Sequence, residues 1–199
     1  MADYFLEVKG KKIHCLSNDL SGQPKVLLFH GARFNANTWN QVSTLKSLKE
    51  IGVPAVAVDF PGYGLSERGS WNDLSEFIKD LLQAMDLERP VLLGPSMGGN
   101  AVLKYAIKYD QVSGLILVGP VGVEEVQDEL DRLDGIPVLL IWGENDNVSP
   151  IEKSKVLISR ISTARLEIVG KQHACYLDDP KKFNDLVEKF ITDVRWSRN

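Results

Sequence analysis

A serine, a histidine and a carboxylate can together carry out acyl transfer, and one serine of this chain sits in a setting suited to it. Gly94-Pro95-Ser96-Met97-Gly98-Gly99 follows the apolar run Val91-Leu92-Leu93 and opens a stretch of helical spacing. A strand–turn–helix bend of this kind holds a serine out as an exposed nucleophile, and only small residues two before and two after it avoid a clash. Gly94 and Gly98 supply both. G-x-S-x-G also recurs by chance as an ordinary glycine-rich turn, so its weight comes from the strand before it and the helix after it.

A serine hydroxyl is a weak nucleophile and needs a base. The chain has 3 histidines. His14 lies in an N-terminal hairpin, where a solvent-facing strand position is expected. His30 directly follows Val26-Leu27-Leu28-Phe29 and reads as structural, holding its own loop through a hydrogen bond. His173 follows an apolar strand at 166–169, at a carboxyl end where open α/β sheets place their ligands. It is the candidate base. Asp146, in the loop 143–150 after Val138-Leu139-Leu140-Ile141-Trp142, is the candidate carboxylate that fixes the tautomer of His173. Glu144 is the local competitor and reads as a loop hydrogen-bonder. Donors for a developing oxyanion are expected from the backbone N–H of Met97 and from that of Ala32, with Arg33 as the alternative. Gly31 lets that backbone approach a substrate closely.

These residues need a frame, and the hydrophobic pattern describes one. Apolar runs at 26–29, 55–58, 91–93, 115–118 and 138–142 lack a polar face, as strands of a buried parallel sheet must. Between them, helical spacing predicts helices over 71–85, 102–108, 151–161 and 181–194. Ser149-Pro150 and Asp179-Pro180 read as N-caps followed by proline at the first helical position. Tyr4 and its neighbours to 8, then 11–16, flank Lys9-Gly10 and read as an antiparallel hairpin at a sheet edge. The expected fold is α/β: a single domain over 1–199, about eight mostly parallel strands, helices on both faces and no cap domain.

Composition narrows the partners. The chain has 199 residues, a formal net charge of −4 and a pI near 5.4, which lacks the basic footprint of a nucleic-acid binder. Its longest apolar stretch, 135–143, is far short of the roughly 18 residues of a membrane span. The N-terminus has no basic region followed by an apolar one, so no secretory signal is read. The 2 cysteines form no metal pattern with the histidines, and no phosphate-loop pattern occurs. The expectation is a soluble, cytoplasmic monomer with no metal, taking a small acyl ester or an acylated substrate.

Only residues 119–136 separate two of the strands, room for one helix at 124–133 and not for a lid. The pocket is therefore expected to be shallow and open, bordered by Phe34, Phe60, Tyr63, Val121, Val148 and Tyr176. Each of these is equally well explained as core. Such a pocket favours small acyl groups, including those on a large leaving group such as a protein side chain. Arg33 reads either as an attractor of anions or as a solvated loop charge. Asp59 is expected to anchor its loop, and Cys175 to be a buried, inert thiol.

Phe29-His30-Gly31, Asp59-Phe60-Pro61-Gly62-Tyr63-Gly64-Leu65-Ser66, the bend at Ser96, Gly143-Glu144-Asn145-Asp146 and His173 together resemble the α/β-hydrolase superfamily, over residues 4–194. His30-Gly31-Ala32-Arg33-Phe34 with Thr38-Trp39, the pair Pro95-Ser96, and His173-Ala174-Cys175-Tyr176-Leu177-Asp178 ahead of Pro180 are similar to the small lidless hydrolases of α/β-hydrolase-domain group 14. Gly98-Gly99 departs from the Ser-Gly of that group. The resemblance implies a serine hydrolase acting on short acyl esters through Ser96, Asp146 and His173. It also implies an alternative, acyl transfer from protein lysines with coenzyme A as acceptor. The remaining reading is a ligand-binding or scaffold protein on the same fold. Dehalogenase and epoxide-hydrolase chemistry would need a carboxylate where Ser96 stands.

Overall fold

The computed structural model describes residues 1–194, so the last five residues of the expected domain lie outside the described ones. Eight strands form one sheet: β1 (Ala2–Val8), β2 (Lys11–Ser17), β3 (Val26–Leu28), β4 (Ala55–Val58), β5 (Val91–Pro95), β6 (Gly114–Val118), β7 (Val138–Trp142) and β8 (Ala164–Ile168). Their order is β1-β2-β4-β3-β5-β6-β7-β8. The hairpin pairs antiparallel from Ala2↔Ser17 to Val8↔Lys11, and β2 meets β4 antiparallel. The other pairs are parallel. At the hairpin tip Lys9 and Gly10 have φ of 50° and 74°, the double positive φ that lets a two-residue turn follow the strand twist.

Strands β3 to β7 are buried along their whole length because helices cover both faces. α3 (Leu74–Ala84), α4 (Met97–Tyr109) and α5 (Glu152–Arg160) bring Phe77, Ile78, Val102, Tyr105 and Leu157 to one face. The other face receives α1 (Thr38–Gln41), α2 (Thr44–Glu50), α6 (Cys175–Asp178) and α7 (Pro180–Asp193), with Trp39, Leu45, Tyr176, Phe183 and Ile191. β8 alternates half-buried and exposed residues, as an outermost strand does.

Several expectations shift. The helix predicted from 71 starts at Leu74 because Asp73 accepts from the Ser75 and Glu76 N–H groups and caps it; the Trp71 indole donates to Asp80 instead. Asp179 caps α7 through Lys182 as expected. Ser149 caps nothing: its hydroxyl donates to the Pro120 carbonyl, and α5 begins at Glu152. The helix expected at 124–133 is two 3-10 turns, Val123–Glu125 and Gln127–Leu133. Its buried residues fall in pairs three apart, Val123 with Val126 and Leu130 with Leu133, and 3-10 geometry stacks side chains at that interval. α1, α2 and α6 were not anticipated; each has seven residues or fewer, too short to carry a periodic signal. No helix among the described residues is long and apolar enough to cross a membrane.

Candidate active site

Because β3, β5, β6, β7 and β8 run parallel, their carboxyl ends share one edge of the sheet. His30, Ser96, Gly119, Asp146 and His173 all lie on the segments leaving those ends. Ser96 has φ 53° and ψ −115°, a strained backbone of the kind that costs about 1–3 kcal/mol and persists only where its surroundings fix it. The surroundings are tight. A Cβ on Gly94 would stand 2.3 Å from the Gly98 carbonyl oxygen, and one on Gly98 would stand 2.7 Å from the His30 carbonyl oxygen. Both glycines are therefore required, as the motif suggested. The Ser96 N–H donates to Val118 at 2.9 Å, tying the bend to β6, and α4 starts at the next residue.

Asp146 and His173 are in direct contact: Nδ1 donates to Asp146 Oδ2 at 2.7 Å. Asp146 Oδ1 accepts from the N–H groups of Val148 and Ser149, each at 2.8 Å, so both carboxylate oxygens are aimed. The two loops are zipped together by Glu144 N–H to Gly170 and Asn145 N–H to Lys171. A Cβ on Gly143 would fall 2.0 Å from the Gln172 carbonyl, so the strand end must be glycine. Asp178 holds the far side of the histidine loop by accepting from Lys171 and Gln172; those amides keep its carboxyl below the usual carboxylate range. With Nδ1 committed to Asp146, Nε2 is the remaining ring nitrogen of His173. It is buried and has no hydrogen-bond partner, so Ser96 makes no bond to it.

Gly119 links the serine bend to this pair. It follows the Val118 carbonyl that holds Ser96, has φ +48°, and a Cβ there would lie 2.8 Å from Asp146 Oδ2 and 3.4 Å from His173 Nδ1. On the opposite side of Ser96 runs the 30–36 loop, where a Cβ on Gly31 would be 3.6 Å from that of Ser96. His30 pins the start of this loop: Nδ1 donates to the Gly31 carbonyl and Nε2 accepts from Phe60 N–H at 3.0 Å. Burial holds the His30 pKa below its ordinary value, in keeping with the neutral tautomer these bonds require. Ala36 N–H donates to Asp59 Oδ1 at 2.6 Å and pins the end. Ala32 and Arg33, between the pins, are exposed. The backbone N–H groups of Ala32 and Met97 have no partner among the described residues.

The expected pocket border divides. Tyr63, half-buried, donates its hydroxyl to the Met97 sulfur at 3.4 Å, and Phe34 and Val121 are also half-buried. Val148 is 61% exposed. Phe60 and Tyr176 are corrected to core positions, at 0% and 2% exposure. Phe60 stacks on Phe29 and meets Phe77, while Tyr176 packs among Phe34, Trp39 and Phe183. Cys175 is buried, and desolvation, with the charges of Asp146 and Asp178, pushes its thiol up to about 12. Glu144 is exposed and bonds through its backbone. Concavities of about 470 and 300 Å³ lie elsewhere, the first between β8 and α7 and the second beside α2. Among the described residues no group of three or more His, Cys, Asp or Glu is placed to hold a metal.

His14 is the main correction. It is 5% exposed: buried Asp59 bonds Nδ1 from the interior, and exposed Asp3 covers Nε2 from the surface. Gly119, Ser149 and Asp178 also serve the site, in roles the sequence reading did not give them. Gly119 meets Asp146 and His173 only through a chain crossing, whereas in these roles Ser149 and Asp178 bond to residues within seven positions of themselves.

A family model for the alpha/beta hydrolase fold matches residues 24–133. The protein ABHD14A of Danio rerio is 32% identical over 175 residues, 85% of this chain, which spans about 65% of that relative's length. The human protein named "Putative protein-lysine deacylase ABHD14B" is 30% identical over 185 residues, 88% of this chain and 87% of its own. The crystal structure of a "predicted CIB-like hydrolase" from Thermoplasma acidophilum superposes with a TM-score of 0.89 at 32% identity, covering 97% of this chain and 98% of the other. By sequence and by architecture, the chain belongs to the alpha/beta hydrolase family.

Proposed function

We propose that the protein is a serine hydrolase that cleaves short-chain acyl esters, amides or thioesters. Ser96 Oγ attacks the acyl carbonyl while His173 Nε2 takes its proton. Asp146 holds the imidazole in the Nδ1–H tautomer and stabilises the imidazolium that forms. The N–H groups of Ala32 and Met97 donate to the oxyanion. Collapse of the intermediate expels the leaving group, which takes the proton from His173 and leaves an acyl-Ser96 ester. Water, deprotonated by the same nitrogen, then attacks the acyl carbon, and His173 returns the proton to Ser96 Oγ as the acid leaves. The observation that carries this reading is the buried, unpartnered Nε2 of His173 opposite an Asp146-bonded Nδ1, beside a strained serine bend.

Acyl transfer is the second reading, with coenzyme A in place of water and an acylated protein lysine as donor. The name of the human relative favours it, as does the exposed Arg33 next to Ala32, suited to an anionic phosphate. A series of nitrophenyl esters from acetate to octanoate, run on the wild type and on Ser96→Ala with and without coenzyme A, tests both. Turnover that requires Ser96 and falls steeply with chain length supports the hydrolase, and acyl-coenzyme A as product supports transfer. No turnover with any ester or acceptor would leave a ligand-binding protein.

A further inference from the structure

Behind the 30–36 loop lies a second histidine–carboxylate pair with no open nitrogen. His14 Nδ1 is 2.8 Å from Asp59 Oδ2, and Nε2 is 3.0 Å from Asp3 Oδ1. A carboxylate oxygen only accepts, so both contacts are made together only when each ring nitrogen donates. The ring faces a carboxylate sealed from water, Asp59 at 1% exposure. The other donors to Asp59 are neutral amides: Ala36 N–H to Oδ1 at 2.6 Å and Leu65 N–H to Oδ2 at 2.9 Å. A buried ionised carboxylate without a counter-charge is strongly unfavourable, and the His14 ring is the one of these partners that can carry a positive charge. The backbone adds rigidity: His14 N–H donates to Ser66 Oγ, Ser66 Oγ to the Asp59 carbonyl, and Asp59 N–H to the His14 carbonyl.

We infer that His14 is a positioning residue for the oxyanion loop. As a cation wedged between Asp3 and Asp59 it fixes the Asp59 carboxylate, which fixes the end of the loop through Ala36 and the 59–66 turn through Leu65. Ala32 is thereby held between two anchors, His30 on one side and the His14–Asp59 pair on the other. The catalytic half of this inference rests on the serine-hydrolase reading; the positional half stands without it. An oxyanion donor acts on the transition state, so its displacement lowers kcat and leaves KM nearly unchanged.

The test compares His14→Leu, His14→Asn and Asp3→Asn with the wild type. Asparagine keeps a donor near the Nδ1 position. Kinetics with a short nitrophenyl ester are read well below the melting temperature of each variant, and amide hydrogen exchange is read at Ala36 and Leu65. His14→Leu should lower kcat on the order of 10- to 100-fold, the loss that a misplacement of about 1 Å brings, with KM little changed and faster exchange at both amides. His14→Asn should recover most of the loss, and Asp3→Asn should have a smaller effect. Nitrogen-15 NMR of the wild-type His14 ring should show both nitrogens protonated at neutral pH. A folded His14→Leu with unchanged kcat or unchanged Ala36 exchange overturns the inference, as does a neutral His14 ring. Should His14→Leu fail to fold, His14→Asn and the ring spectrum decide. A wild type that turns over no ester sinks the hydrolase reading instead, and the exchange data then judge the positional half alone.

Discussion

Two aspartate–histidine pairs, each with its carboxylate buried, stand on either side of the serine bend, and they differ in what the second ring nitrogen does. In His173–Asp146 the Nδ1 contact is 2.7 Å and Nε2 has no partner. In His14–Asp59 the Nδ1 contact is 2.8 Å, but Nε2 is bonded to Asp3. The carboxylates match in other respects. Asp146 accepts two backbone amides and so does Asp59. Each is touched by a positive-φ glycine, Gly119 at 48° and Gly64 at 51°. A buried Asp–His contact is thus a general way to fix a loop. In the proposed reaction, the open nitrogen of His173 is what fits one of the two pairs for proton transfer.

The largest effects should fall on the open pair and on the serine bend beside it. Ser96→Ala should lower kcat on the order of 10⁶-fold, the loss that follows removal of a serine nucleophile, and Asp146→Asn about 10⁴-fold by favouring the wrong tautomer. Steady-state ester hydrolysis with a melting curve for each variant checks both, and unchanged melting with near-normal rates would erase the distinction between the pairs.

The two glycines sharpen the contrast. An added methyl at Gly119 would lie 2.8 Å from Asp146 Oδ2, and one at Gly64 would lie 1.9 Å from Asp59 Oδ2. Gly64→Ala should mainly destabilise, by about 1–3 kcal/mol or more, as overpacking does. Gly119→Ala should mainly slow turnover, on the order of 10²-fold, by shifting the pair. Urea denaturation and kinetics on both variants separate the outcomes.

His30, the third histidine, should reveal itself through pH. Burial lowers its folded pKa below 6.5, so below that pH the unfolded chain takes up a proton that the folded chain refuses. Its effect on stability is absent above pH 6.5 and grows as pH falls toward the folded value, at no more than about 1.4 kcal/mol per pH unit. Urea midpoints between pH 5 and 7.5 should fall more steeply for the wild type than for His30→Gln. Remote from all three histidines, Asp73→Ala should cost about 1 kcal/mol of stability through loss of the α3 cap and leave kcat unchanged, a baseline for the other variants.

The sheet and the Ser96 bend were legible because their signals are local: unbroken apolar runs, and two glycines whose spacing sterics dictate. The approach of Asp146 to His173 followed from the carboxyl-end rule for parallel strands. His14 was misread because a strand position shows only which neighbours it has in sequence, while its burial depends on Asp59, 45 residues away. Phe60 and Tyr176 were placed at a pocket edge for the same reason: an aromatic residue beside a loop motif packs inward when other rings await it, as Phe29, Phe77, Trp39 and Phe183 do here. Ser149 looked like a cap because serine before proline usually is one, and the Pro120 carbonyl that claims its hydroxyl is 29 positions distant.

The most direct test of the central claim is the site and rate of phosphonylation by a fluorophosphonate probe, read by peptide mass spectrometry on the wild type, His173→Gln and His14→Asn. The account predicts modification at Ser96 in the wild type, retained in His14→Asn and lost in His173→Gln. No modification of Ser96, or modification that proceeds equally in His173→Gln, would contradict it.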